Sequence, residues 1–114
     1  MSDCLFCGIV AGEVDVDVVA RGEDWVAFRD IRPRAPVHVL VIPHEHVPTL
    51  NDLSADHDAL VGRLVRAAAS VAASEGIAEE GWRLVVNCNA GAGQTVFHVH
   101  AHLLGGRPLG WPPG

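Results

Sequence analysis

Hydrophobic positions along the chain change period several times, and each change marks an element. Val16 to Arg21 and Trp25 to Arg29 are β-branched or aromatic runs separated by Gly22-Glu23-Asp24, a spacing that predicts a hairpin with a three-residue loop. After the proline-punctuated loop Asp30 to Pro36, His38 to Pro43 is dense in Val, Leu and Ile. It therefore reads as a central strand on which His38, Leu40 and Ile42 point one way. Ser54 is placed to cap a helix with Asp56 and Asp58 in its first turn. Leu60, Val61, Leu64, Val65, Ala68, Val71 and Ala72 then recur at three-and-four spacing as far as Gly76. Trp82 to Asn87 predicts a fourth strand, with Leu84 and Val86 facing opposite to Arg83, Val85 and Asn87. Thr95 to Leu104 predicts a fifth, and Cys4 to Ala11 a helical turn or two before Gly12.

These elements predict an α+β fold: a mostly antiparallel five-stranded sheet, one long helix and a short N-terminal helix. At 114 residues the chain has room for one domain, 1–114, with 105–114 as a Gly/Pro-rich tail that needs Trp111 as an anchor to be ordered. Eight arginines, no lysine and fourteen acids give a net charge of -6, which argues against a basic surface for nucleic acid or anionic lipid. An anionic ligand must then be held by local donors. No segment reaches about 18 uninterrupted apolar residues, and no charged leader precedes an apolar stretch. Three cysteines give no disulfide framework. The expectation is a soluble protein of the cytoplasm that binds neither nucleic acid nor membrane.

Candidate chemistry concentrates late in the chain, where His98, His100 and His102 alternate with Val99, Ala101 and Leu103. On a strand the three imidazoles share one face. Imidazole is mostly neutral at pH 7 and attacks without first losing a proton, while a protonated neighbour steadies a phosphate oxygen. One face thus supplies nucleophile and electrophile together. A metal centre is the rival reading, but His98 and His102 on a regular strand stand about 13 Å apart. At most two of the three then share one tetrahedral ion. The preceding Asn87-Cys88-Asn89-Ala90-Gly91-Ala92-Gly93-Gln94 has glycines that let backbone N–H groups approach an anion.

The alternating run His98 to Leu104 resembles the signature of the histidine triad family. The likeness extends to Ala27 to Ile31, Ala35 to Pro43, Val85 to Asn87, Gly93 to Val96 and the tail Gly105-Gly106-Arg107 with Trp111 to Gly114. The tail looks like the Hint branch, the nucleoside phosphoramidases. The resemblance implies hydrolysis of purine nucleoside 5'-phosphoramidates through a nucleotidyl-histidine on His100. It further implies that His102 contacts the phosphate, that His38 supports the cluster, and that Asp30 takes the ribose hydroxyls. Phe6 and Ile31 would pack near the base; Asn87, Gly93, Gln94 and Thr95 would position the phosphate and leaving group. Thr95 stands where Hint-like enzymes usually carry serine, keeping the hydroxyl and adding a methyl that restricts its rotamers.

Cys4-x-x-Cys7 resembles bacterial members that hold a structural zinc with two histidines, which here match His46 and His98. A Cys₂His₂ set closes a tetrahedral ion and leaves no position for a reacting water. The alternative is a pair of buried cysteines acting as small hydrophobes. The expected partners are a purine nucleoside monophosphate or phosphoramidate and a second copy of the chain, in a homodimer that completes the pocket. Three other functions stand beside this one: hydrolysis of dinucleoside polyphosphates, as in the Fhit branch; a non-catalytic nucleotide-binding scaffold; and a metal-dependent hydrolase, which would need an open metal site. Cys88 and His57 read as structural, and His44 as a surface neighbour of His46.

Overall fold

The computed structural model describes residues 3–114, so the first two residues of the expected domain lie outside the described residues. Five strands form one antiparallel sheet in the order β1-β2-β3-β5-β4. They are β1 (Val18–Arg21), β2 (Trp25–Arg29), β3 (Val37–Pro43), β4 (Trp82–Val85) and β5 (Ala101–Gly105). The short helix α1 (Leu5–Val10) precedes them and α2 (Asp58–Ser74) lies between β3 and β4. The hairpin and the central place of β3 follow the β-branched and apolar runs read from the sequence.

The two-residue period of the strands divides the core. Ala27, Val39, Val41 and Leu103 face α2, meeting Leu64, Ala68 and Val71 on its apolar stripe. Val26, Phe28, Leu40 and Ile42 face the other way, onto Phe6 and Ile9 of α1. Burying one such aliphatic or aromatic side chain contributes about 1.5–3 kcal/mol. α2 packs on one face chiefly against β3 and β5, α1 covers only part of the other, and the histidines border the opening left on the α1 side.

Two contacts hold the ends of these elements in register. Arg29 Nη2 donates to Glu75 Oε2 at 3.0 Å, tying the last residue of β2 to the C-cap of α2. At Gly105 a Cβ would lie 2.5 Å from Ile77 Cδ1, so glycine lets β5 pass beneath the turn that follows α2 without displacing Ile77.

Three expectations are corrected. Thr95 to Leu104 is not one strand: only Ala101–Gly105 is, after a bend at residues 96–98. The fourth strand ends at Val85 instead of Asn87, and the loop that follows leaves residues 95–100 without a ladder partner on that side. Ser54 caps a 3-10 turn, Ala55–His57, its Oγ accepting from the Asp56 N–H, and α2 starts only at Asp58. His57, half-buried, accepts the Ser54 N–H at Nδ1 and bonds Glu45 through Nε2 at 2.9 Å, which fits its structural reading.

Candidate active site and metal group

His100 sits just before β5, buried, with the Phe6 ring edge-on to it at a centroid separation of 4.9 Å. Its Nδ1–H donates to the carbonyl oxygen of His98 at 2.8 Å. That bond fixes the tautomer, so Nε2 carries the lone pair. Burial is the main cause that lowers its pKa, against the His98 carbonyl and Asp30, which raise it.

His102 lies on β5 between Leu40 of β3 and Val85 of β4. A chain of hydrogen bonds sets its tautomer as well. The Arg34 N–H donates to His38 Nδ1 at 3.0 Å, so His38 carries its proton on Nε2. His38 Nε2 lies 3.0 Å from His102 Nδ1 and 3.4 Å from Asp30 Oδ2. His102 therefore accepts at Nδ1 and presents Nε2–H. Because His38 donates into this group, Asp30, His38 and His102 form a hydrogen-bonded cluster and not a cation site. Burial, then the His100 and His38 rings, hold the His102 pKa down to about 4, with Asp30 opposing. His38 is likewise lowered, first by burial. The expected protonated neighbour is thus a neutral N–H donor here, because three imidazoles packed out of water disfavour a cation among them.

Two cavities meet at these histidines, and Asp30, Thr95, His100 and His102 line both. One, of 270 Å³, is walled by Phe6, Ile9, Phe28, Ile31 and Leu40. The other, of 430 Å³, has Asn87, Gly93, Val85, Arg32 and Arg34 in its wall. Asp30 Oδ1 accepts the Arg32 N–H at 2.8 Å, which leaves its second oxygen toward His38. Gly93 closes the 3-10 turn Ala90–Ala92 with φ of 92°, a conformation in which glycine is unstrained. Gln94 departs from expectation. Its buried amide accepts from the Asn89 N–H and donates to the Pro48 and Val96 carbonyls, so it holds the loop together and does not line either cavity. Arg32 and Arg34 were absent from the expected site; two arginines around Pro33 in an acidic chain were the available signal.

A separate set of side chains gathers around His98, whose ring centroid lies 5.9 Å from that of Phe6. Ligand atoms of Cys4, Cys7, His46 and His98 lie within 4.8 Å of one another. His98 Nδ1 is 3.5 Å from Cys4 Sγ and 3.6 Å from Cys7 Sγ; His46 Nδ1 is 3.3 Å from Cys7 Sγ and 3.3 Å from His98 Nδ1. A tetrahedral ion with metal–sulfur bonds of about 2.3 Å and metal–nitrogen bonds of about 2.0 Å spaces its ligands about 3.5 Å apart for N···S and about 3.3 Å for N···N. The donor set matches those edges. His98 Nε2–H donates to the Pro43 carbonyl at 2.8 Å, so its Nδ1 turns a lone pair toward the sulfurs. These residues fit a metal ion, and the three triad histidines divide between two jobs: His98 to this group, His100 and His102 to the cavities.

The tail is tied along β4: Arg83 Nη2 donates to the Gly110 carbonyl at 2.8 Å, while Trp111 is 83% exposed. Among the described residues no helix is long and apolar enough to cross a membrane.

Comparison with known proteins accounts for the arrangement. The HIT domain matches residues 11–109. A purine nucleoside phosphoramidase of Escherichia coli K12 is 49% identical over 108 residues, covering 95% of this chain and 91% of that protein. A crystallised HIT family hydrolase from Legionella pneumophila superposes with a TM-score of 0.97 at 49% identity, covering 98% of this chain and 100% of that one. A zinc-bound histidine triad family protein from Mycobacterium smegmatis superposes with a TM-score of 0.79 at 31% identity, over 92% of this chain and 76% of that one. With its alternating histidines divided between a cavity and a Cys/His group, the chain belongs to the HIT domain family of histidine triad proteins.

Proposed function

We propose that the protein hydrolyses purine nucleoside 5'-phosphoramidates through a covalent intermediate on His100; the substrate class follows the Escherichia coli relative, which is named a purine nucleoside phosphoramidase. The observation that carries this reading is the Nδ1–H bond from His100 to the His98 carbonyl, which leaves Nε2 unprotonated at the junction of the two cavities. The base occupies the apolar cavity against Phe6 and Ile31, and Asp30 accepts from the ribose hydroxyls. The phosphorus sits at the shared wall. His102 Nε2–H, Asn87, the backbone of Gly93 and the Thr95 hydroxyl hold its oxygens and the leaving group.

In the first step His100 Nε2 forms a bond to the α-phosphorus while the phosphorus–nitrogen bond breaks. The departing nitrogen takes one proton from the solvent and leaves as an amine. His100 becomes a nucleotidyl-imidazolium whose Nδ1–H is steadied by the His98 carbonyl. Water then attacks the phosphorus, His100 leaves as neutral imidazole, and the proton from water returns the one consumed. The products are an amine and a nucleoside monophosphate.

Zinc is the proposed occupant of the Cys4, Cys7, His46 and His98 group, because a thiolate and imidazole set with tetrahedral edges suits it best. When bound it supplies structure, joining the N-terminal segment to the loop after β3 and to the approach to β5. The protein is further proposed to act as a homodimer, with β4, an exposed sheet edge, pairing across a two-fold axis.

Turnover of a fluorogenic adenosine phosphoramidate, measured before and after brief chelator treatment, tests the reading. Activity with release of adenosine monophosphate supports it. Binding of adenosine monophosphate with no turnover would leave the scaffold function, and cleavage confined to dinucleoside polyphosphates the Fhit-like one.

A further inference from the structure

The larger cavity has a charge that the proposed reaction does not use. Of the eight arginines, Arg29, Arg63, Arg83 and Arg107 spend their guanidinium groups on Glu75, Asp24, the Gly110 carbonyl and the Arg34 carbonyl. The guanidinium groups of the other four, Arg21, Arg32, Arg34 and Arg66, have no hydrogen-bond or ion-pair partner among the described residues, and of these Arg32 and Arg34 line the cavity beside His100 and His102. Their backbone, by contrast, is fixed. The Arg32 N–H is held by Asp30 at 2.8 Å and the Arg34 N–H by His38 at 3.0 Å. The Arg34 carbonyl accepts from Arg107 Nε at 3.1 Å and Nη2 at 2.9 Å, and Pro33 locks the residue between. A rigid loop therefore presents two unpaired cations at one mouth of the site, in a protein of net charge -6. Arg34 is near enough to His38 to oppose its protonation.

The side on which they lie decides what they meet. Neither lines the apolar cavity that suits a base, and the phosphorus sits at the wall the cavities share. What projects into the arginine-lined space is the leaving group. We infer that Arg32 and Arg34 form an anion subsite for that group, and that the amine released carries its own carboxylate, as an amino acid does. The inference rests on the phosphoramidase reading, because a broken phosphorus–nitrogen bond makes the leaving group an amine and so puts the negative charge on the amine's substituent. Planar guanidinium groups match a carboxylate in two-point hydrogen bonding.

The test compares kcat/KM for adenosine 5'-phosphoramidates of alanine as the free acid and as the neutral methyl ester, with diadenosine triphosphate as a third arm. Wild type and the Arg32→Gln/Arg34→Gln double variant are measured alongside each single variant, so a poorly folding double variant does not end the experiment. Because the acid-to-ester ratio is taken within one protein, it cancels general losses of activity. We expect that ratio to fall about tenfold in the double variant, part-way in each single one, and in wild type as salt rises. An equal ratio in wild type and variants overturns the subsite. A loss seen only with diadenosine triphosphate overturns the assignment to an amine-borne carboxylate. Failure of wild type on the neutral ester as well as the acid is the distinct result that sinks the phosphoramidase reading, and the inference with it.

Discussion

His98 offers its ring to the cysteine pair and its backbone carbonyl to His100 Nδ1, 2.8 Å away, so one residue joins the candidate zinc ligands to the proposed nucleophile. Loss of the ion should therefore affect more than stability. Purified protein should contain one zinc per chain by elemental analysis. Structural zinc contributes on the order of 10 kcal/mol in small domains, so Cys7→Ser or stripping should lower Tm by about 10 °C or more. Turnover should fall as well, since the carbonyl that orients His100 is released. Metal-free protein with unchanged Tm would rule this out.

His100→Ala should reduce kcat by at least about 10³-fold while the Kd for adenosine monophosphate stays within a few-fold, because the nucleophile acts in the transition state and the other contacts remain. Rapid acid quenching of wild type with labelled substrate should trap a nucleotidyl-protein that the variant does not form. Full activity without any trappable adduct counts against the covalent route.

Burial gives the site a defined response to acid. His102 is held down to about 4 in the folded protein against an unfolded value near 6.5, so between those values the unfolded chain binds more protons. Its contribution is fully present above about pH 6.5 and is lost as pH falls toward 4; His38, lowered in the same direction, adds to the slope. The fall in Tm between pH 7 and pH 4.5 should be smaller for His102→Gln than for wild type. Equal slopes would show that His102 titrates normally.

Much of this was legible in the primary structure. The near-continuous apolar runs of β2 and β3 mark strands buried on both faces, and the three-and-four spacing of Leu60, Leu64 and Val71 marks the helix that packs on one of them. The alternating histidines and the Cys4-x-x-Cys7 pair stood out as candidates by chemistry and spacing, and the roles proposed for them followed from the resemblance to the histidine triad family. Less visible was the end of the fifth strand's pattern: Thr95 to His100 has strand-like residues, but a ladder needs a neighbour, and β4 stops at Val85. Gln94 misled for a related reason, since an amide beside a glycine loop serves a buried backbone as well as a phosphate. Arg32 and Arg34 were plain in the loop; the cavity they border exists only once β3, β4 and β5 are assembled.

The exposed Trp111, on a tail tied to β4 by Arg83, leads to a prediction about the partner chain. Light scattering at micromolar concentration should report a dimer. Removing residues 109–114 should change selectivity among leaving amines more than the intrinsic rate of His100, because the tail carries no nucleophile. A monomer, or a truncation with unaltered selectivity, would refute the shared pocket.

Gly105 gives the site a dependence on atoms that no substrate touches. Ile77 presses against its bare Cα from the α2 side of the sheet, and three residues earlier the same strand carries His102 on the opposite face. A methyl group added at Gly105 would have to move either Ile77 or β5, and movement of β5 displaces His102 relative to His38. The imidazole alignment is thus inherited through the thickness of the sheet: a change on the helix side can misalign the proposed catalytic histidines while leaving each of them in the sequence.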